Sequence, residues 1–308
     1  MIRIGMMNTG AHGYLYGSCF GPYDRYAFLT GGGQLDIVES SSNPVIPFKH
    51  TQIVRIWDAD RAKAERFARA FGCVVADDMR AVGEHADAIF VADTSGNGED
   101  HADVAIPFME KGLPVCVDKP FADSLAHARK MIAAAERTGT PVFSASLLRY
   151  AKATEELKAL DVGDVKTVVV SSGGSTARMV SAIHGFATLH GFMGPGIVSA
   201  NSIGPEKGGE VIRFLYKDGR LGILQMNGVR AEFRIDVFGS KGIAWRETPV
   251  PEYRYGAIKV AEAFVRMVET KEPALPYDVM LETVAAIEAA RRSTVERCEV
   301  VLEGISES

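Results

Sequence analysis

The stretch LPVCVDKPFADS, residues 113–124, decides how the first half of the chain is read. Its apolar run Val115-Cys116-Val117 has the composition of a short strand buried on both faces. It then meets Asp118, Lys119 and Pro120, and a helical pattern, SLAHARKMIAAAERTG, follows. A buried strand that ends abruptly in two charges belongs at the carboxyl edge of a parallel sheet, where open α/β folds bind ligands.

Working outward, the same alternation recurs. IRIGMM, TQIVRIWDAD, CVVADD, ADAIFVADTS and PVFSAS read as strands, and RAKAERFARAFG and DHADVAIPFMEKG as helices between them. Strands separated by helices of this length imply right-handed crossovers and a doubly wound parallel sheet covered on both faces. The character changes near residue 146. DVKTVVVSSGG, GEVIRFLYKDG, RLGILQMNGVR and EFRIDVFGSKGIAW read as strands joined by tight turns, with the helix-like VSAIHGFATLHGFMG between the first two and two helices at the end. The expected fold is therefore α/β: a Rossmann domain over residues 1–146 and an α+β domain over 147–308 built on an open, mostly antiparallel sheet.

Composition narrows the function. The 308 residues are 47% hydrophobic and 24% charged, with a net charge of -5, which argues against a general affinity for nucleic acid or anionic membrane. A small-molecule ligand is expected. Cys19, Cys73, Cys116 and Cys298 form no CxxC pair, so neither a zinc site nor a disulfide framework is signalled and a reducing cytoplasm is the default. No signal peptide or membrane span is read.

The first strand-to-helix turn is Asn8-Thr9-Gly10-Ala11-His12-Gly13. A dinucleotide fingerprint needs glycines here so that backbone can approach a pyrophosphate at the helix N-terminus. Two glycines stand at the expected spacing and Asn8 replaces the first; asparagine tolerates glycine-like backbone angles. Alone, the turn also fits a plain strand-to-helix connection. Asp58, ending the second strand, strengthens it, because a carboxylate there accepts hydrogen bonds from an adenosine ribose and repels a 2'-phosphate. The gap from Gly10 to Asp58 is 48 residues against the usual spacing of roughly 20. Residues 17–49, rich in glycine, serine and proline, are therefore expected to be an insertion, either a solvated loop or a lid or oligomer contact.

The run VCVDKPFA, with the preceding ADAIFVADTS and His101, resembles the strand, helix and Glu-Lys-Pro signature of the glucose-fructose oxidoreductase and inositol dehydrogenase (Gfo/Idh/MocA) family, with Asp118 in place of the usual glutamate. SAIHGFATLHGFMG, DVFGSKGIAW and the closing IEAARRS extend the resemblance over almost the whole chain. The resemblance implies an NAD-dependent oxidoreductase, with NADP less favoured, acting on a sugar-like or polyol hydroxyl. Alternatives are an NAD-assisted elimination or hydrolysis, or a non-catalytic cofactor-binding homologue. It implies Lys119 beside the nicotinamide and in contact with substrate, and His184 as acid/base; relatives carry an aspartate four residues before that histidine, where this chain has Val180. Cofactor contacts are expected from Asn8, Gly10, Ala11, Gly13, Asp58, Thr94, Ser95, His101, Asp118 and Lys119, and substrate contacts from Arg149 and Tyr150. His12 is expected only to pack, and His190, off the helical face of His184, to be structural. Asp93, Asp100 and Asp103 have no cage-like spacing, so no metal is expected. The family also implies a homodimer or homotetramer.

Overall fold

The computed structural model describes residues 1–39, 48–94, 96–174, 179–204, 209–227 and 233–302. The chain divides into two compact units. The first contains Met1–Ala122, Ala126–Ala145 and Ala257–Pro276; the second contains Asp123–Leu125, Ser146–Gly256 and the chain from Tyr277 onward.

In the first unit, β1 (Ile2–Met7), β2 (Thr51–Trp57), β3 (Val74–Val75), β4 (Ala88–Val91), β5 (Val115–Val117) and β6 (Val142–Phe143) form one sheet in the order β3-β2-β1-β4-β5-β6. All five pairings are parallel. The order reverses direction at β1/β4, the switch point that the doubly wound reading requires. β4 and β5 are fully buried along their length, which explains their unbroken apolar sequence. The crossovers are α1 (Ala11–Phe20), α4 (Arg61–Phe71), α5 (His101–Met109) and α6 (Leu125–Thr138). Asp60 caps α4, accepting from the amides of Ala62 at 3.0 Å and Lys63 at 3.3 Å.

The insertion is not the solvated loop offered as one reading. Residues 17–20 complete α1, and α2 (Arg25–Gly31) and α3 (Leu35–Val38) follow; residues 40–47 lie outside the described residues. Asp24 caps α2 through the Ala27 amide at 2.7 Å. Phe28 is fully buried, its ring 5.3 Å from that of Tyr14, 4.5 Å from Tyr23 and 5.9 Å from Phe71. The glycine- and proline-rich flanks hid this aromatic anchor from a reading by composition.

The second unit holds a seven-stranded sheet of β7 (Val165–Ser172), β8 (Ile197–Ile203), β9 (Glu210–Tyr216), β10 (Leu221–Met226), β11 (Phe233–Gly239), β12 (Gly242–Thr248) and β13 (Val300–Val301). Its order is β12-β11-β7-β10-β9-β8-β13, and only β7/β10 pair in parallel. The open, mostly antiparallel sheet is therefore present. The polar strand IVSANSI, which forms β8, and the two-residue β13 went unread. Helices α7 (Lys152–Lys158), α8 (Met179–Met193) and α10 (Tyr277–Glu296) belong to this unit, and its core joins Val168, Val170, Phe214 and Ile235 from the sheet to Phe186 and Ile287 from the helices. On the other face Ile203, Ile243 and Trp245 are exposed.

The expected single boundary at residue 146 needs one correction. Helix α9 (Tyr253–Thr270) runs from the second unit into the first at Ala257. The reason is apolar: Phe264 is fully buried, with its ring 5.4 Å from Phe90 and 5.8 Å from Phe20. No helix among the described residues is long and apolar enough to cross a membrane.

Phe28 tests whether the insertion is part of the folded unit. Phe28→Ala is expected to cost about 3–5 kcal/mol, the usual range for emptying a buried aromatic site, in urea denaturation. A loss under about 1 kcal/mol would mean that α2 packs loosely.

Candidate active site

In the first unit the polar residues at the carboxyl ends of β1, β2 and β4 meet in one pocket. It is lined by Asn8, Gly10, Ala11, Asp58, Asp93 and Thr94, with Gly31 and Gly32 of the insertion and Lys63 and Arg66 of α4 also contributing. Asn8 adopts a left-handed backbone, φ 64°, which accounts for asparagine standing where a fingerprint glycine is usual. Gly13 sits inside α1, where a Cβ would come 2.7 Å from the Asn8 carbonyl oxygen, so this position must stay bare for the helix to follow the strand so tightly. The N-cap of α1, Gly10, supplies no capping side chain. The first amides of the helix are thus available to an anion, and the turn fits a dinucleotide pyrophosphate.

Asp58 is braced within this pocket. Its Oδ2 accepts from the Thr9 amide at 2.9 Å and the Thr9 hydroxyl at 2.7 Å, and its Oδ1 accepts from the Asp60 amide at 2.9 Å. Thr9, Lys63 and Arg66 were not among the expected residues. A threonine following Asn8 gave no signal by itself, since its partner is 49 positions away.

The Asp-Lys-Pro segment lies at the end of β5. Asp118 is 1% exposed and Lys119 4% exposed, and the Lys119-Pro120 peptide is cis. Asp118 Oδ2 is 2.6 Å from His12 Nδ1. Burial alone would push the Asp118 carboxyl upward; the charge and hydrogen bond of His12, with Lys119 next in the chain, outweigh this and hold it below the usual carboxylate range. Burial draws Lys119 below the usual amine range, against the pull of Asp118. His12 thus does more than the packing expected of it. Fixed spacing could not reveal this, because the carboxylate partner lies on another strand.

His101 opens α5 and is 3% exposed, with Nδ1 3.3 Å from the Phe121 carbonyl. Asp93, Asp100 and His101 bring one donor atom each within 4.8 Å of one another, whereas Asp103 pairs with Lys130 at 2.9 Å. Ser95 lies outside the described residues.

The remaining expected residues fall in the second unit. His184, on α8, has Nδ1 2.9 Å from Ser146 Oγ, an oxygen that also accepts from the Leu148 amide at 3.2 Å. The position one turn earlier holds Val180 and carries no carboxylate. His190 is fully buried, within a chain of polar contacts. Arg149 Nη1 lies 2.9 Å from His190 Nδ1, and His190 Nε2 lies 3.1 Å from Glu282 Oε1. Arginine can only donate, so Nδ1 accepts and the imidazole is neutral, with its proton on Nε2 and directed at Glu282. Burial pushes His190 below the ordinary histidine value, consistent with that state. Glu282 also accepts from the Gly196 and Ile197 amides at 2.9 and 3.2 Å, and so ties α10 to the start of β8. Arg149 is engaged in this chain, and Tyr150 hydrogen-bonds to it.

Comparison with known proteins follows this geometry. Residues 31–146 match the profile of the Gfo/Idh/MocA oxidoreductase family, described as an NAD-binding Rossmann fold. Over that segment the resemblance read from the sequence holds. A 102-residue stretch is 28% identical to YceM of Salmonella typhimurium, described as an oxidoreductase; it covers 33% of this chain and 32% of that protein, so the match spans about a third of the curated relative's length. The fold is shared with myo-inositol dehydrogenase of Lactobacillus casei, solved with NAD(H) and myo-inositol, at a TM-score of 0.78 and 14% identity over 100% of this chain and 98% of that one. It is also shared with myo-inositol 2-dehydrogenase of Lactobacillus plantarum, at 0.77 and 14% over 98% and 99%.

The neutral state of His190 makes stability pH-dependent. Its folded value is depressed, so the unfolded chain binds the extra proton first. Stability is complete above the unfolded value of about 6.5 and is lost as pH falls below it. The urea midpoint is expected to fall between about pH 7 and pH 5, and His190→Gln, less stable overall, is expected to lose that part of the slope. An unchanged slope in the variant would show that the histidine is not the titrating group.

Proposed function

We propose that the chain is an NAD-dependent oxidoreductase acting on a hydroxyl of a sugar-like or polyol substrate. The observation that carries this reading is the pocket at the β1/β4 switch point, where the uncapped start of α1, Gly10, Ala11 and Asp58 stand together. Asn8, Gly10 and Ala11 would hold the pyrophosphate and Asp58 the adenosine ribose. Bound NAD supplies a hydride acceptor at its nicotinamide. The resemblance to the family and the inositol dehydrogenases of similar fold support the substrate class.

Lys119 is assigned to the substrate hydroxyl. A buried ammonium stabilises negative charge developing on that oxygen and favours loss of its proton. Its depressed affinity for a proton, caused by burial, also lets it act as a base nearer neutral pH than an exposed lysine would. His184 is assigned a second acid/base role in the other unit. Ser146 helps to orient it. The alternative in which NAD assists elimination or hydrolysis is distinguished by turnover without net NADH accumulation.

The exposed apolar side chains on the second sheet support a homodimer or homotetramer. Light scattering at micromolar concentration is expected to give a multiple of the chain mass, and a monodisperse monomer would remove this part of the reading.

Because Asp58 accepts from a ribose and repels a phosphate, NAD is expected to bind at least about tenfold tighter than NADP in calorimetry, equivalent to about 1.4 kcal/mol. Equal binding would take Asp58 out of the site. In a panel of sugars and polyols followed by NADH absorbance, Lys119→Ala is expected to abolish turnover. His184→Ala is expected to reduce it by a factor on the order of 10² to 10⁴. Turnover that survives Lys119→Ala nearly intact would place the chemistry elsewhere.

A further inference from the structure

His12 occupies an unusual position in the first unit. It is the second residue of α1, directly after Ala11, which lines the pocket, yet its ring turns toward β5 and meets Asp118 at 2.6 Å. Asp118 Oδ1 is buried without a hydrogen-bond partner, and His12 is the only side chain hydrogen-bonded to this carboxylate among the described residues. A helix and a strand end that needed only to pack would do so more cheaply with apolar side chains, because a buried ion pair is weak support for stability. What such a pair does supply is a fixed place for a charge.

We infer that His12 is a positioning residue for Lys119: it anchors the buried Asp118 carboxylate and so fixes the strand end that presents the lysine. The inference rests on the assignment of Lys119 above. It joins the turn at the start of α1 to the end of β5 through one imidazole. Among the described residues, Tyr16 of α1 and Cys116 of β5 are further ionisable groups that feel this carboxylate. Burial pushes the Tyr16 and Cys116 side chains well above their ordinary values, so both stay neutral. Asp118 and Lys119 are then the charged groups of the strand end, and the His12 hydrogen bond holds the first of them in place. When that hydrogen bond is removed the strand end loosens, and the amine that follows Asp118 becomes more accessible.

The test uses the full chain without cofactor. Competitive labelling by acetic anhydride at about pH 9, followed at Lys119 by mass spectrometry, reads how accessible and reactive this one amine is. His12→Ala is expected to raise the Lys119 labelling rate several-fold. His12→Gln, which keeps a donor for Asp118, is expected to stay close to the wild-type rate. In NADH fluorescence titrations His12→Ala is expected to bind on the order of tenfold more weakly, and His12→Gln to recover most of that loss. A Lys119 labelling rate unchanged in a folded His12→Ala chain, or raised as far in His12→Gln, the variant that preserves the hydrogen bond, as in His12→Ala, would overturn the inference. Failure of the wild-type chain to bind NADH would instead overturn the proposed function, and the labelling result would still decide the role of His12.

Discussion

A parallel sheet buried on both faces imposes one constraint on everything around it: every strand must end at the same edge. In the first unit β4 and β5 are buried and free of charge along their whole length, so polar side chains collect where the strands stop. Asn8, Asp58, Asp93 and Asp118-Lys119 each follow the last apolar residue of a strand by one to two positions. Chain reversal at β1/β4 then opens the sheet where the pocket forms. The geometry of the site is a consequence of where apolar runs end.

Charges placed at such an edge are partly out of water, and the chain meets the cost in the same way in both units. Asp118 is paired with His12, and Glu282 with His190 and two backbone amides. The two pairs differ in what stands on the far side of the imidazole. His190 accepts from Arg149, which fixes it as neutral and makes it a structural tie. His12 is partly open to solvent, with 20% of its side chain exposed, and directly precedes Gly13 in the turn that fits a pyrophosphate. One pair ties α10 to the start of β8; the other ties the start of α1 to the end of β5.

The alternation of strands and helices, the switch-point turn and the Lys-Pro strand end were legible because each is local: periodicity, glycine spacing and composition carry them within a dozen residues. Asp58 was found despite its distance because it ends a recognisable strand. The partners of these residues were not legible. His12 and Asp118 are 106 positions apart, and His190 and Glu282 are 92 apart, so no pattern along the chain links them. Two further misses have the same origin. Phe28 anchors the insertion through rings contributed by α1 and α4, and Phe264 carries α9 into the first unit. In each case tertiary packing, absent from any local window, decided where the segment belongs.

The central claim is that the carboxyl edge of the parallel sheet is a dinucleotide site. A crystal structure of the chain grown with NAD tests it most directly. The account predicts the pyrophosphate against the backbone amides after Gly10, the adenosine ribose on the Asp58 carboxylate and the nicotinamide beside Lys119. NAD bound away from this edge, or density at the edge with Asp58 turned from the ribose, would contradict it.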